Sequence, residues 1–149
     1  MKNKIKCYLV CPVRHVSEQQ KQEMDRYVEI LEKDFNREFH YPPRDVDQNQ
    51  SEEHICEQHR EAMELCDEVH FWWDYKSTGS HFDFGMAYMI KSLRNISYVL
   101  ANVDDNPITD QKSYTNLLVR DSIPIYKVLK ITKVKWNRFM SEKLVLASA

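Results

Sequence analysis

The sequence predicts an α/β protein in which a parallel sheet of about five strands carries helices on both faces. Short apolar runs alternate with longer amphipathic segments along the chain, and strands separated by helices form parallel sheets covered on both sides. Of the 149 residues, 42% are hydrophobic and 30% are charged, an ordinary balance for a globular protein with a full core. No internal repeat is visible, and the polar stretch 102–113 is typical of a surface loop. We therefore expect a single domain over residues 1–149.

Three strands and two helices are predicted in the first half of the chain. The run IKCYLVC forms the first strand, and the helix after it takes Ser17 as its N-cap and repeats apolar residues at helical spacing through Phe35. REFHY is a short second strand, Ser51 caps a second helix, and DEVHFWW is the third strand.

The second half begins with a helix over SHFDFGMAYMIKSL and a strand over ISYVLANV. Beyond Asp104 the pattern is weaker. SYTNLLVR predicts a short helix, IPIYKVLKI a fifth strand and KWNRFMSEKLVLASA a terminal helix.

Charge and hydropathy exclude several classes of partner. The formal net charge of −2 provides no field that would gather polymeric nucleic acid or an acidic membrane. The apolar run near the N-terminus is short and ends at Pro12 without a signal-peptide cleavage pattern, and no stretch approaches the roughly 18 apolar residues of a membrane helix. We expect a cytoplasmic protein.

The four cysteines predict buried thiols in a reducing compartment, since Cys7, Cys11, Cys56 and Cys66 all lie in apolar or helical sequence. Cys7 and Cys11 would project from one face of a strand but far apart, and no histidines complete a ligand set. We expect no metal site.

Ligands of parallel α/β folds bind outside the carboxyl ends of the strands, which selects three loops. CPVRH offers Arg14, and YPPRD offers Arg44 and Asp45 on an extended turn fixed by two prolines. WDYKSTGS offers Asp74 as a candidate acid or partner of a sugar hydroxyl. The alternatives are a rigid surface turn around Arg44 and a turn-forming role for Asp74.

The chain has only two glycines, and both lie in the stretch DYKSTGSHFDFGMAY, although average usage would give roughly ten. We expect Gly79 to precede the third helix, so that the N–H groups of Gly79, Ser80 and His81 face an anion at the positive end of the helix dipole. Gly85 would let a ligand or another chain approach the backbone.

The same stretch supplies the hydroxyls of Ser77, Thr78 and Ser80, and Asp83 adds a carboxylate within the predicted helix. Together they predict a phosphate or ribose cradle with one carboxylate at its floor. The alternative is a capped helix in which Asp83 merely complements the helix dipole.

Three features of the sequence form a pattern over roughly residues 4–103. They are the first strand with Tyr8 and the following Arg14, CDEV at the third strand, and Ser77-x-Gly79-x3-Asp83-x-Gly85-x-Ala87. This pattern resembles the nucleoside 2-deoxyribosyltransferase superfamily, which includes the 2'-deoxynucleoside 5'-phosphate N-hydrolases.

The resemblance implies a flavodoxin-like (Rossmann-like) sheet and a homo-oligomer of two or more chains, with no cofactor. It implies that a nucleoside or nucleotide binds and that its N-glycosidic bond is cleaved or transferred through a covalent intermediate on a carboxylate. Asp83 falls on the nucleophile of the family, Tyr8 on its active-site tyrosine, and Ser77 on a phosphate-contacting serine. Arg14 falls on a substrate-contacting arginine.

The chain departs from the family pattern at three places. Asp83 replaces a glutamate, His59 stands where the family has a second carboxylate, and Cys11-Pro12 replaces a glycine. A second hypothesis is therefore a protein on the same fold that binds a nucleotide or an ADP-ribose-type signal without cleaving it. A third is a flavin carrier in which Trp72 and Trp73 sandwich the ring. The choice of base and sugar, the need for a 5'-phosphate, and hydrolysis versus transfer stay open.

Overall fold

The computed structural model describes residues 2–148, with side chains to residue 142, and it confirms the predicted α/β class. Five parallel strands form one sheet in the order β2-β1-β3-β4-β5, the order of flavodoxin-like folds. The strands are β1 (Ile5–Val10), β2 (Arg37–His40), β3 (Glu68–Phe71), β4 (Ser97–Leu100) and β5 (Ile123–Pro124).

Seven helices connect or follow the strands within the described residues: α1 (Glu18–Asp34), α2 (Pro42–Asp45), α3 (Glu52–Leu65), α4 (Thr78–Leu93), α5 (Tyr114–Asp121), α6 (Ile125–Val128) and α7 (Lys133–Ser148). The predicted N-caps of α1 and α3 are confirmed, because the side chains of Ser17 and Ser51 accept the N–H groups of Gln20 and His54. Among the described residues, no helix combines the length and the apolar composition needed to cross a membrane.

Helices cover the sheet on both faces and form two separate cores. On one face, which we call the α1 face, α1 and α7 pack on the sheet through residues that include Tyr27, Leu31 and Trp136. On the other, the α4 face, α3, α4 and α5 pack through residues that include Met63, Phe84 and Leu118. Successive residues of β1 alternate between the two cores, as the pleat of a strand requires.

Three local expectations are wrong. Gly79 lies inside the first turn of α4 rather than before it, because the helix is already capped by Ser77. The YPPRD segment is the short helix α2 instead of an extended turn, with the prolines at its first positions, where a missing N–H costs nothing. The fifth strand ends at Pro124, which cannot donate to the ladder, and Ile125 starts α6.

A buried polar network lies on the α1 face. Arg37 donates two hydrogen bonds to Glu68, at 2.9 and 3.0 Å, and His70 Nε2 lies 2.7 Å from the same carboxylate. The hydroxyl of Tyr27 lies 2.7 Å from His70 Nδ1. A carboxylate only accepts, so His70 carries its proton on Nε2 and accepts the Tyr27 O–H at Nδ1. One neutral imidazole thus satisfies both neighbours.

The same carboxylate contacts the thiol of Cys7, and Cys7, Glu68 and His70 are the one group of potential metal ligands among the described residues. Arg37 already holds the carboxylate. A second cation there would meet the guanidinium at close range, so the residues fit a structural network better than a metal centre.

Candidate functional site

The centre of the candidate site is the carboxylate of Asp83, held between β1 and α4. Tyr8 projects from β1 toward the α4 face, and its O–H donates to Asp83 Oδ2 at 3.0 Å. Asp83 lies in the second turn of α4 and is 6% exposed. Burial, and then the charge of Asp83, raise the pKa of Tyr8 well above its usual value, so the phenol keeps the proton that it donates. The structure thus brings together two residues that the sequence places 75 positions apart.

The other oxygen of this carboxylate contacts His59 of α3. His59 Nδ1 lies 3.2 Å from Asp83 Oδ1, and both side chains are largely buried. Because the carboxylate only accepts, Nδ1 carries a proton. His59 Nε2 is buried and has no hydrogen-bond partner among the described residues. Only one of the two ring nitrogens of His59 therefore has a hydrogen-bond partner within the described chain.

His40 completes the wall of the site on the β2 side. The register pairs Tyr8 with His40, and their rings stack at 5.4 Å with an interplanar angle of 15°. Desolvation lowers the pKa of His40, with the His59 ring also lowering it and Asp45 opposing, so the ring is neutral near pH 7. His40 Nε2 is another buried nitrogen without a partner in the described part of the chain.

A third unpartnered group lies one turn before the carboxylate. Ser80 is 1% exposed, shares the buried face of α4 with Asp83, and its hydroxyl has no partner among the described side chains. Buried polar groups are nearly always hydrogen-bonded, and leaving one unpaired costs about 1–3 kcal/mol. The unpaired groups of His40, His59 and Ser80 around one carboxylate are typical of a site that a polar ligand completes.

His40 was not among the residues predicted for the site, and no function was predicted for His59. The strand pattern of REFH contained the signal for His40: Phe39 packs on the α1 face, so the next residue must project to the opposite face, where Tyr8 lies. The signal for His59 was its position, where the family has a carboxylate. A long-range contact with Asp83 cannot be read from helical periodicity.

The N-terminus of α4 is capped by its own residues. Ser77 Oγ accepts the N–H of Ser80, and its carbonyl accepts the N–H of His81, each at 3.2 Å. Of the three N–H groups predicted to face an anion, only that of Gly79 is not bonded to Ser77. A Cβ at Gly79 would meet no atom within 4 Å, and no glycine has a positive φ, so packing within the described chain does not demand a glycine here.

His81 lies on the side of α4 away from Asp83, since the two residues are two positions apart and a helix of 3.6 residues per turn rotates about 200° over that step. Its Nδ1 lies 2.8 Å from the carbonyl oxygen of Ser77, and its ring packs 4.8 Å from that of Trp73. Together with Tyr75 and Tyr114 it lines a cleft of about 800 Å³ between α4 and the loop before α5.

The remaining predicted residues lie in the segments that follow β1, β2 and β3. Asp74 accepts the N–H of Lys76 at 2.9 Å, which is a turn contact. Arg14 is exposed after β1 and forms no ion pair among the described residues. Arg44 binds Glu32 at 2.6 Å and Asp45 at 2.9 Å, which ties α2 to α1.

Neither tryptophan is free to stack on a ligand. Trp72 is 6% exposed in the α1-face core and Trp73 is 2% exposed in the α4-face core. Consecutive strand-end residues project to opposite faces, so the two indoles cannot sandwich one flavin ring.

Comparison with known proteins finds a solved structure of the same fold. No protein-family model matches the chain, and no curated protein does. Among solved structures, the CMP N-glycosidase BcmB of Clostridium botulinum superposes with a TM-score of 0.56 over 93% of this chain and 98% of that chain, at 17% identity. At this identity the likeness shows the fold and not the activity. The fold expected from the family resemblance is therefore confirmed, and the chain shares the fold of a nucleotide N-glycosidase.

Proposed function

We propose that the chain binds a nucleoside or nucleotide and cleaves or transfers its N-glycosidic bond, with Asp83 as the nucleophile. The observation that carries the proposal is a buried carboxylate held by Tyr8 and surrounded by unpaired polar atoms, on a fold shared with a CMP N-glycosidase. Asp83 lies on the helix that follows β3, beside the sheet edge where ligands of parallel α/β folds bind.

The proposed chemistry uses the carboxylate twice. As the C1'–N bond breaks, positive charge develops on the sugar, and an oxygen of Asp83 forms a bond to C1' while the base leaves with the electron pair. Water, or a second base, then attacks C1' and releases the carboxylate. Tyr8 holds the nucleophile in one orientation throughout, because its O–H remains protonated.

The segments after β1 and β3 offer groups for the rest of the ligand. Arg14 offers an exposed guanidinium that matches a 5'-phosphate. The N–H of Gly79 and the hydroxyl of Ser80 lie at the start of α4, where the helix dipole favours an anion. We expect Arg44 and Asp45 to act on the ligand only by fixing the loop after β2, because they bind each other and Glu32.

One observation favours the alternative, a protein that binds such a ligand without turnover. Both oxygens of Asp83 already accept hydrogen bonds, and the side chain is 8% exposed. A nucleophile held so firmly must give up part of this bonding to reach C1', which raises the barrier to reaction.

Self-association is also proposed, through the outer face of α4. Phe82, Met89 and Leu93 are 56%, 63% and 77% exposed at positions i, i+7 and i+11 of this helix, which places them in one stripe. Gly85 lies in the same stripe, and a Cβ there would meet no atom within 4 Å, although glycine in a helix costs about 1 kcal/mol. An apolar stripe with a glycine at its centre fits the close approach of a second copy.

The test is a mass-spectrometric screen of wild type and Asp83→Asn with CMP first, then other nucleotides, nucleosides and NAD. Free base and retained ligand are both scored, and exchange with an added free base separates transfer from hydrolysis. We expect wild type to release base and Asp83→Asn to retain ligand without release. Asp110→Asn, at an exposed carboxylate, is the control. Retention by wild type without release would support the binding alternative.

A further inference from the structure

A base that leaves a sugar takes the electron pair of the C1'–N bond and needs a proton. The acid expected from the sequence was Asp74, but its carboxylate is engaged in a turn with Lys76. His59 lies instead against the proposed nucleophile, with Nδ1 of its imidazole 3.2 Å from Asp83 Oδ1. Any sugar bonded to Asp83 is therefore next to this ring.

We infer that His59 is the acid–base residue of this site, a role that rests on the glycosidic function proposed above. His59 and His70 differ in how their ring nitrogens are paired. His70 has a partner at each ring nitrogen, Tyr27 and Glu68, which is the pattern of a structural histidine. His59 has a partner at Nδ1 only, and its Nε2 is buried without one among the described residues.

Groups from three other elements, β1, β2 and α4, face the His59 ring. Tyr8 contacts the ring edge-on at 5.8 Å from β1, and His40 lies 6.5 Å away on β2. Burial raises the pKa of Tyr8 and lowers that of His40, so both are neutral near pH 7. Asp83 of α4 is then the charged group that faces the ring within the described chain. The Asp83 carboxylate keeps the proton of Nδ1, and Nε2 is the nitrogen that can exchange one.

The imidazolium of His59 donates its Nε2 proton to the departing base as the C1'–N bond breaks, and an Asp83 oxygen bonds to C1'. The neutral imidazole then accepts a proton from water as the water oxygen attacks C1' and the bond to Asp83 breaks. The products are the free sugar and the protonated base, and both residues return to their starting forms.

The experiment compares two leaving groups in wild type and His59→Asn. Asparagine can keep an N–H donor toward Asp83 but has no counterpart of Nε2. One substrate is the nucleotide that wild type cleaves best, and the other is 4-nitrophenyl riboside 5'-phosphate, whose nitrophenolate leaves without a proton. We expect kcat/KM to fall at least 100-fold on the nucleotide and less than about fivefold on the nitrophenyl substrate. The variant should also lose the alkaline limb of the wild-type pH profile on the nucleotide. His54→Asn, an exposed histidine of the same helix, should stay within twofold on both.

The outcomes separate the two proposals. An equal loss of kcat/KM on both substrates would mean that His59 only supports the fold or orients Asp83. No loss on either substrate would also overturn the acid–base role. In both cases the glycosidic function stands. Cleavage of neither substrate, nor of any panel member, by wild type would refute the glycosidic function and with it the role of His59.

Discussion

Replacing Tyr8 with phenylalanine removes a single oxygen atom from the centre of the site. The ring is 0% exposed and stacks on His40 at 5.4 Å, and a phenyl ring can keep both arrangements. What is lost is the 3.0 Å hydrogen bond to Asp83 Oδ2. The variant therefore tests this one bond with little change in packing.

The expected magnitude follows from the charge of the acceptor. A hydrogen bond to a charged group contributes about 1.5–3 kcal/mol, and each 1.36 kcal/mol corresponds to a factor of ten in rate. If the bond orients the nucleophile in the transition state, kcat/KM for the best substrate falls about 10- to 150-fold. The free energy of unfolding should fall by about 1–3 kcal/mol, since a buried carboxylate oxygen loses its partner.

The assay measures kcat/KM and urea unfolding for Tyr8→Phe beside a matched control, Tyr98→Phe. Tyr98 is also buried on the α4 face, but its hydroxyl has no partner among the described residues. Its removal should leave kcat/KM unchanged and stability equal or higher. The reasoning is refuted if Tyr8→Phe behaves like the control.

Three further predictions concern stability, assembly and binding. Burial lowers the pKa of His70, so below the ordinary histidine pKa near 6.5 the unfolded chain binds a proton that the folded chain does not. The free energy of unfolding should therefore be about 1 kcal/mol lower at pH 5.5 than at pH 7, and His40 adds in the same direction. Urea unfolding at both pH values checks this, and an unchanged midpoint contradicts it. We expect wild type to sediment as an oligomer and Leu93→Lys, at a side chain 77% exposed, to sediment as a monomer without loss of fold stability; equal masses for the two would exclude the α4 interface. Arg14→Gln should weaken CMP binding about 10- to 100-fold but leave cytidine binding unchanged, whereas equal loss for both would remove its phosphate role.

The fold was predictable because its signals are local. The apolar runs that became β1, β3 and β4, and the serines that cap α1 and α3, act within a few residues of themselves. Errors arose where tertiary contacts or a single residue override the local pattern. IPIYKVLKI is apolar enough for a strand, but Pro124 ends the ladder, and Ile125 is buried as part of a helix.

The site was predictable only in part, and for a different reason. The family resemblance places both Tyr8 and Asp83 in the site, and in the structure the Tyr8 hydroxyl donates a hydrogen bond to the Asp83 carboxylate. His40 and His59 reach the same point from β2 and α3, and only strand register and helix docking determine that meeting.

The alternation of β1 has a consequence for protein engineering. Cys7 faces the network of Glu68, while the next residue, Tyr8, faces the site, so the sheet is a partition between the two. Substitutions on opposite sides of such a partition share no partners and should be additive in free energy. Thermal tolerance can therefore be tuned through the network on the α1 face while the turnover of each folded molecule is held constant.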